Sequence, residues 1–190
     1  MTNAIFRFLS FIRNRQIELQ GFMLTLYLRM LGCKVGKGLR CTGWPFFKVL
    51  PCGNIEIGNH VTIGKNVTLE VQQSGRLLLD DYSKLTQNVI VSVCSSVRIG
   101  KHSGVAEYCS IRDSEHGAKK GQLLWQQPLI SDPIIIGDDV QISRGCSIFR
   151  GTTVERGVII GANCILTRNC RTVENGIYLG TPPKLIGKRI

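Results

Sequence analysis

The chain has 190 residues, enough for one domain with a sizeable core, and its 24 Lys and Arg against 13 Asp and Glu give a net charge of +11. Such an excess suits an anionic lipid surface, a phosphorylated ligand or a nucleic acid, but aromatic residues are only 7% and no nucleic-acid-binding motif is present, which sets the last aside. The eight cysteines include no C-x-x-C pair and no cleavable leader is evident, so a disulfide framework is not expected and the reducing cytoplasm is the predicted compartment.

Residues 1–32 differ from the rest of the chain, being rich in Phe, Leu, Ile and Met without a glycine repeat. The spacing of Leu19, Phe22, Met23, Leu26 and Met30 predicts one or two helices, with Gly21 as a break and Gly32 as a stop. The longest apolar stretch, Gly21 to Leu28, is too short to span a bilayer, and Arg29 interrupts its continuation. The first fifty residues hold eight Lys and Arg, among them Arg7, Arg13 and Arg15, against the single acid Glu18. A basic apolar helix of this kind suits peripheral contact with the inner face of an anionic membrane, or packing on the rest of the chain or on a neighbouring subunit.

From Val35-Gly-Lys-Gly a second region, residues 33–190, is predicted to begin as a repeat, irregular at first around Trp44, Pro45, Phe46 and Phe47. The period is clear at Ile57-Gly-Asn-His-Val61-Thr and Ile63-Gly-Lys-Asn-Val67-Thr, followed by Leu69. Residues 75–87 break it, because Gly75, Asp81 and Gln87 occupy aliphatic slots; Leu77, Leu79 and Leu85 are expected to replace them in a shifted register. The repeat resumes at Val93, Ile99, Val105 and Ile111.

The step from Ile111 to Ile136 is 25 residues, which is not a multiple of six, so residues 112–133 are predicted to protrude as a loop. This excursion contains Asp113-Ser-Glu-His-Gly117, Lys119, Lys120 and Trp125, and long loops on rigid scaffolds are frequent sites of function.

Residues 136–171 then run through six hexapeptides without a slip, led by Ile136, Ile142, Ile148, Val154, Ile160 and Leu166. Four positions after each stands a small or β-branched residue, in order Val140, Cys146, Thr152, Val158, Cys164 and Cys170. A period of six fits neither a helix nor a two-faced strand, but three short strands joined by tight corners make an 18-residue turn of a parallel β-helix. One turn later the same positions stack, so Val140 is predicted over Val158, Cys146 over Cys164 and Thr152 over Cys170. Cys109, Cys146, Cys164 and Cys170 thus read as small inward-facing hydrophobes.

With Ile111-Arg-Asp-Ser-Glu-His-Gly117, Pro133-Ile-Ile-Ile-Gly-Asp-Asp-Val140, Ile160-Gly-Ala-Asn-Cys164 and the tail Gly180-Thr-Pro-Pro-Lys-Leu-Ile-Gly-Lys-Arg189, residues 33–190 resemble the left-handed β-helix acyltransferases. The resemblance is to the sugar and polysaccharide O-acetyltransferases related to galactoside and maltose acetyltransferases. It implies an all-β, left-handed β-helix assembled as a homotrimer with sites between subunits. The implied reaction is direct transfer of an acetyl group from acetyl-CoA to a carbohydrate hydroxyl, with no metal.

His116 is the candidate base, because acyl transfer to a hydroxyl needs a group that takes a proton near neutral pH. Asp113 is expected to orient its ring, with Glu115 as the other nearby carboxylate, able to do the same or to contact the acceptor. By resemblance Asn88 would bind the acceptor, or else serve as a corner residue. The backbone near Ser143 and Arg144 would stabilise the oxyanion, although the family's usual Trp and Gly are Gln141 and Ser143 here. Gly161, Ala162, Thr167 and Arg168 match coenzyme A contact positions, and Lys184, Lys188 and Arg189 lie in the matching basic tail.

Three competing readings stand beside this one. An N-acetyltransferase of amino-sugar nucleotides would use the same fold and a similar histidine. A γ-class carbonic anhydrase would need three histidines on zinc, and only His60, His102 and His116 exist, the first two reading as exposed corner residues. A non-catalytic β-helix scaffold would bind no coenzyme A.

Overall fold

The computed structural model describes residues 2–190. From Lys34 onward, short strands wind as a parallel β-helix whose three faces are sheets of six, eight and six strands. Face one stacks Val35, Ile57, Leu79, Ile99, Ile136 and Val154. Face two stacks Cys41, Ile63, Leu85, Val105, Ile142, Ile160 and Tyr178. Face three stacks Phe47, Leu69, Val91, Ile111, Ile148 and Leu166. All but Phe47 are buried, so the aliphatic columns read from the sequence are the core.

The irregular steps fall at one place in the prism. Faces one to two and two to three are always six residues apart, whereas the return from face three to face one takes ten residues from Phe47 to Ile57 and from Leu69 to Leu79. It takes eight from Val91 to Ile99 and twenty-five from Ile111 to Ile136. Every insertion therefore leaves the column at edge three, the edge between faces three and one. Leu77, Leu79 and Leu85 fill the slots expected of them, but Val91 rather than Val93 lies between Leu69 and Ile111. The six-residue count back from Ile99 overlooks the eight-residue step at that edge.

The other two edges are tight corners with left-handed residues. Edge one, between faces one and two, holds His60, Tyr82, His102 and Asp139 at φ 55–59°. Their rings stack, His60 on Tyr82 at 5.0 Å and Tyr82 on His102 at 4.8 Å. Edge two, between faces two and three, holds Asn66, Asn88, Tyr108 and Asn163, with Asn66 Nδ2 donating to Asn88 Oδ1 at 3.2 Å. Asn tolerates this region because its short polar side chain bonds locally.

Inside the column Cys146 lies over Cys164, as read from the period, and no disulfide joins any of the eight cysteines. A hydrogen bond with Cys109 and burial push the Cys146 thiol far above the usual range, and burial raises Cys164. These thiols stay protonated and act as packing.

The N-terminal segment is one helix, Thr2–Met30, and Gly21 does not break it. It touches all three faces of the first turn: Arg29 bonds the Val35 carbonyl, Gly21 meets Leu39, and the Tyr27 ring packs on Trp44 and Phe47. A Cβ at Gly21 would stand 1.9 Å from the Leu39 carbonyl oxygen, so glycine is required for this approach rather than for a bend. Leu24 and Leu28 are fully buried and close an end of the column that would otherwise open its core to water. The helix stops as expected at Gly32, φ +78°, where the Cys33 N–H returns to the Leu28 carbonyl at 3.0 Å.

Candidate active site

The longest insertion at edge three is an antiparallel hairpin standing off the column, Ser114–His116 paired with Leu129–Ser131. Its interior is built on one buried side chain, Gln127. The Gln127 Oε1 accepts from the Lys119 N–H at 2.7 Å, and its Nε2 donates to the carbonyls of Lys119 at 3.1 Å and Gln122 at 3.2 Å. A Cβ at Gly117 would come within 2.9 Å of that Oε1. The loop is therefore held in one conformation by a polar spine, which replaces the missing apolar core of a short excursion.

His116 sits at the end of this hairpin with its ring exposed. Its Nδ1 faces the Gln127 carbonyl at 3.3 Å, and its edge meets Trp125 with centroids 4.9 Å apart and planes at 67°. A carbonyl only accepts, so the bond exists when Nδ1 carries the proton, which leaves the Nε2 lone pair able to accept one. The bond is long for N–H···O, as catalytic contacts often are before substrate arrives.

Asp113 does not orient this ring. Its carboxylate is fully buried and accepts from the Cys94 N–H at 2.7 Å and the Ser95 N–H at 2.8 Å, closing the corner of the preceding turn. It is a structural cap, and the orienting group is the Gln127 carbonyl. Asp113→Ala is expected to leave two part-buried amides without their acceptor and to lower stability by about 1–3 kcal/mol, read as a lower urea midpoint at unchanged slope.

Glu115 is bound to Arg150, which also holds Asp132, and Asp132 in turn accepts from Arg168 at 2.7 Å. This chain of four charges ties both strands of the hairpin to the next two turns of the column. Arg150 is 17% exposed, so its pairing is shielded from water more than a surface bridge would be. Arg168, expected at coenzyme A phosphates, is committed here, with Thr167 half-buried beside it.

The remaining predicted residues lie elsewhere on the prism. Asn88, Ser143, Arg144, Gly161 and Ala162 follow one another up edge two. Among their amides, Ser143 N–H is used by the Ile160 carbonyl and the neighbouring Gly145 N–H by Glu107, leaving the Arg144 N–H without an internal bond among the described residues. Lys184 begins the last strand at the same edge, where Thr181 bonds the Asn163 carbonyl at 3.0 Å. Arg189 does not join them. The last strand runs antiparallel and carries it back to edge one, where its guanidinium binds Asp139 at 2.8 Å and the Gly157 carbonyl at 3.1 Å.

Within one chain, then, His116 and the edge-two residues are on different edges of the prism and do not meet. Nor do the three histidines converge, since the Tyr82 ring lies between His60 and His102 on edge one and His116 is on edge three. Sequence reasoning did not find Gln127, Asp132 or Arg150. Only Arg150 left a signal, as a charge at a corner of the regular repeat.

No protein-family model matches the sequence, and no curated protein matches it. Solved structures do share its fold. AntD, an N-acyltransferase from Bacillus cereus, in complex with dTDP and 3-hydroxybutyryl-CoA, superposes with a TM-score of 0.73 at 17% identity, over 86% of this chain and 87% of that one. A variant of AntD in complex with dTDP-4-amino-4,6-dideoxyglucose and coenzyme A gives 0.74 at 19%, over 86% and 88%. The hexapeptide-repeat-containing acetyltransferase VCA0836 from Vibrio cholerae gives 0.63 at 17%, over 99% and 93%. At such identities the likeness establishes the hexapeptide-repeat β-helix fold.

Proposed function

We propose that the protein transfers an acyl group from acyl-coenzyme A to a carbohydrate hydroxyl, with His116 as the base, in a three-copy assembly of cytoplasmic location. The observation that carries this reading is an exposed imidazole on a braced hairpin, its Nδ1 on the Gln127 carbonyl. The Nε2 takes the hydroxyl proton as the oxygen attacks the thioester carbon. The tetrahedral intermediate then expels the coenzyme A thiolate, which recovers that proton from the imidazolium.

Edge two fits the other substrate. Ser143, Gly161 and Ala162 form a line of small residues along which a pantetheine chain can lie, with the Lys184 cation for its phosphates, the Arg144 side chain resting 3.6 Å from Glu107, and the Arg144 N–H for the oxyanion. Since base and groove occupy different edges, the reading requires edge three of one copy to face edge two of the next, and a homotrimer does this three times over.

A second reading, transfer to an amine, is favoured by the shared fold with AntD, which was crystallised with an amino-sugar nucleotide. One experiment separates the two. The purified protein is given acetyl-CoA or 3-hydroxybutyryl-CoA with nucleotide sugars that differ only in a hydroxyl or an amino group at one position, and free thiol is measured. Release above the hydrolysis background with the hydroxyl sugar is the expected result. Release with the amino sugar alone assigns N-acylation, and release with neither overturns the enzymatic reading.

A further inference from the structure

The N-terminal helix carries a face that nothing in the chain covers. Gly21, Leu24 and Leu28 turn toward the first coil; at about 100° per residue, Leu19, Met23, Leu26 and Met30 lie on the opposite side, and all four are exposed. The stripe continues through Ile12, Leu9 and Ile5, in alternating steps of three and four residues broken only by Gln16. Over residues 4–16 no residue is buried, so this half projects past the column, and Phe6, Phe8 and Phe11 widen its apolar surface.

The charge on the projecting half decides what covers it. Residues 2–17 include Arg7, Arg13 and Arg15 and no acid. The only carboxylate of the helix, Glu18, is bonded to Arg15 at 2.7 Å and lies 3.6 Å from Arg40. A second copy of the helix on this face would gather its arginines with no free carboxylate among them. It would also leave Phe6 and Phe11 in water, since they flank the stripe on both sides. An anionic bilayer meets both features: apolar side chains enter the headgroup boundary over a wide arc, while arginine stems reach back to lipid phosphates. No helix of the described residues is long and apolar enough to cross a membrane, so this one lies in the plane of the interface.

We propose that residues 4–30 form an interfacial helix that docks the protein on an anionic lipid surface, with the column standing off the membrane. The test is sedimentation of the full chain with vesicles of phosphatidylcholine alone or mixed with phosphatidylglycerol. Sedimentation with the mixed vesicles and not with the neutral ones is expected. The triple variant Ile5→Ser, Leu9→Ser, Ile12→Ser alters only exposed positions and is expected to stay soluble, with an unchanged circular dichroism spectrum. The pair Arg7→Gln, Arg13→Gln is expected to lower partitioning roughly ten- to thirtyfold. Absence of sedimentation with the mixed vesicles, or sedimentation of the triple variant equal to that of the parent, overturns the proposal. So does a fall in the oligomer mass of the triple variant without any vesicle binding by the parent, which would make a second copy the occupant.

Discussion

Replacing His116 with alanine is expected to slow thiol release with a sugar acceptor by about 10²–10⁴-fold while coenzyme A still binds. The size reflects what the ring does. A sugar hydroxyl gives up its proton only as it attacks, and once His116 is gone water is the remaining acceptor. Binding should survive because the coenzyme A contacts proposed on edge two include none of the hairpin, and stability should survive because the ring is exposed and makes one long hydrogen bond. His116→Gln sharpens the test: it keeps a polar side chain near the Gln127 carbonyl yet has no titratable nitrogen, so it should be as slow as alanine. Isothermal titration with coenzyme A, run beside the thiol assay, separates loss of chemistry from loss of binding. A fully active His116→Ala protein would remove the base from the mechanism.

The parts of this molecule that were legible in the sequence are those that repeat. Each inward position of the column recurs every six residues, so Ile136, Ile142 and Ile148 announce their faces, and Leu79 and Leu85 could be placed through a disturbed stretch. His116 stood out as a candidate because a histidine occurs where the period first breaks at length, and the structure places it on the protruding hairpin. Its partner did not stand out. Asp113 stands at the bend where the chain leaves the column and is buried there, whereas His116 lies three residues on at the exposed end of the hairpin, so nearness in sequence did not make them partners. Gln127 was invisible because a loop spine has no period, and its bonds go to whichever backbone groups the loop brings near. Arg189 was misplaced for a different reason: a basic tail does not reveal that the last strand reverses, and the reversal puts the residue one edge away.

The proposed division of the site between edges yields the most discriminating expectation. His116→Ala lacks the base on edge three, and Ala162→Trp fills the line of small residues on edge two at an exposed position that a large ring can occupy without disturbing the core. Each variant alone should be nearly inactive. When the two are co-assembled in equal amounts, a working site needs an intact edge three from an Ala162→Trp chain and an intact edge two from a His116→Ala chain. Under random mixing in a closed ring this arises at about one interface in four, so about a quarter of the parental activity should return. A site contained within one chain gives a different answer, because every chain in the mixture would carry one lethal change and no combination could work. The recovered fraction also reports the assembly itself, since it should vanish when the two proteins are mixed under conditions where subunits do not exchange. Differently tagged chains sharpen the measurement: purification through both tags removes the single-variant rings, every mixed trimer then holds one working interface in three, and about a third of the parental thiol release should return. A mixture as inactive as its components would overturn the two-chain site proposed from the placement of His116 on edge three and of Gly161 and Ala162 on edge two.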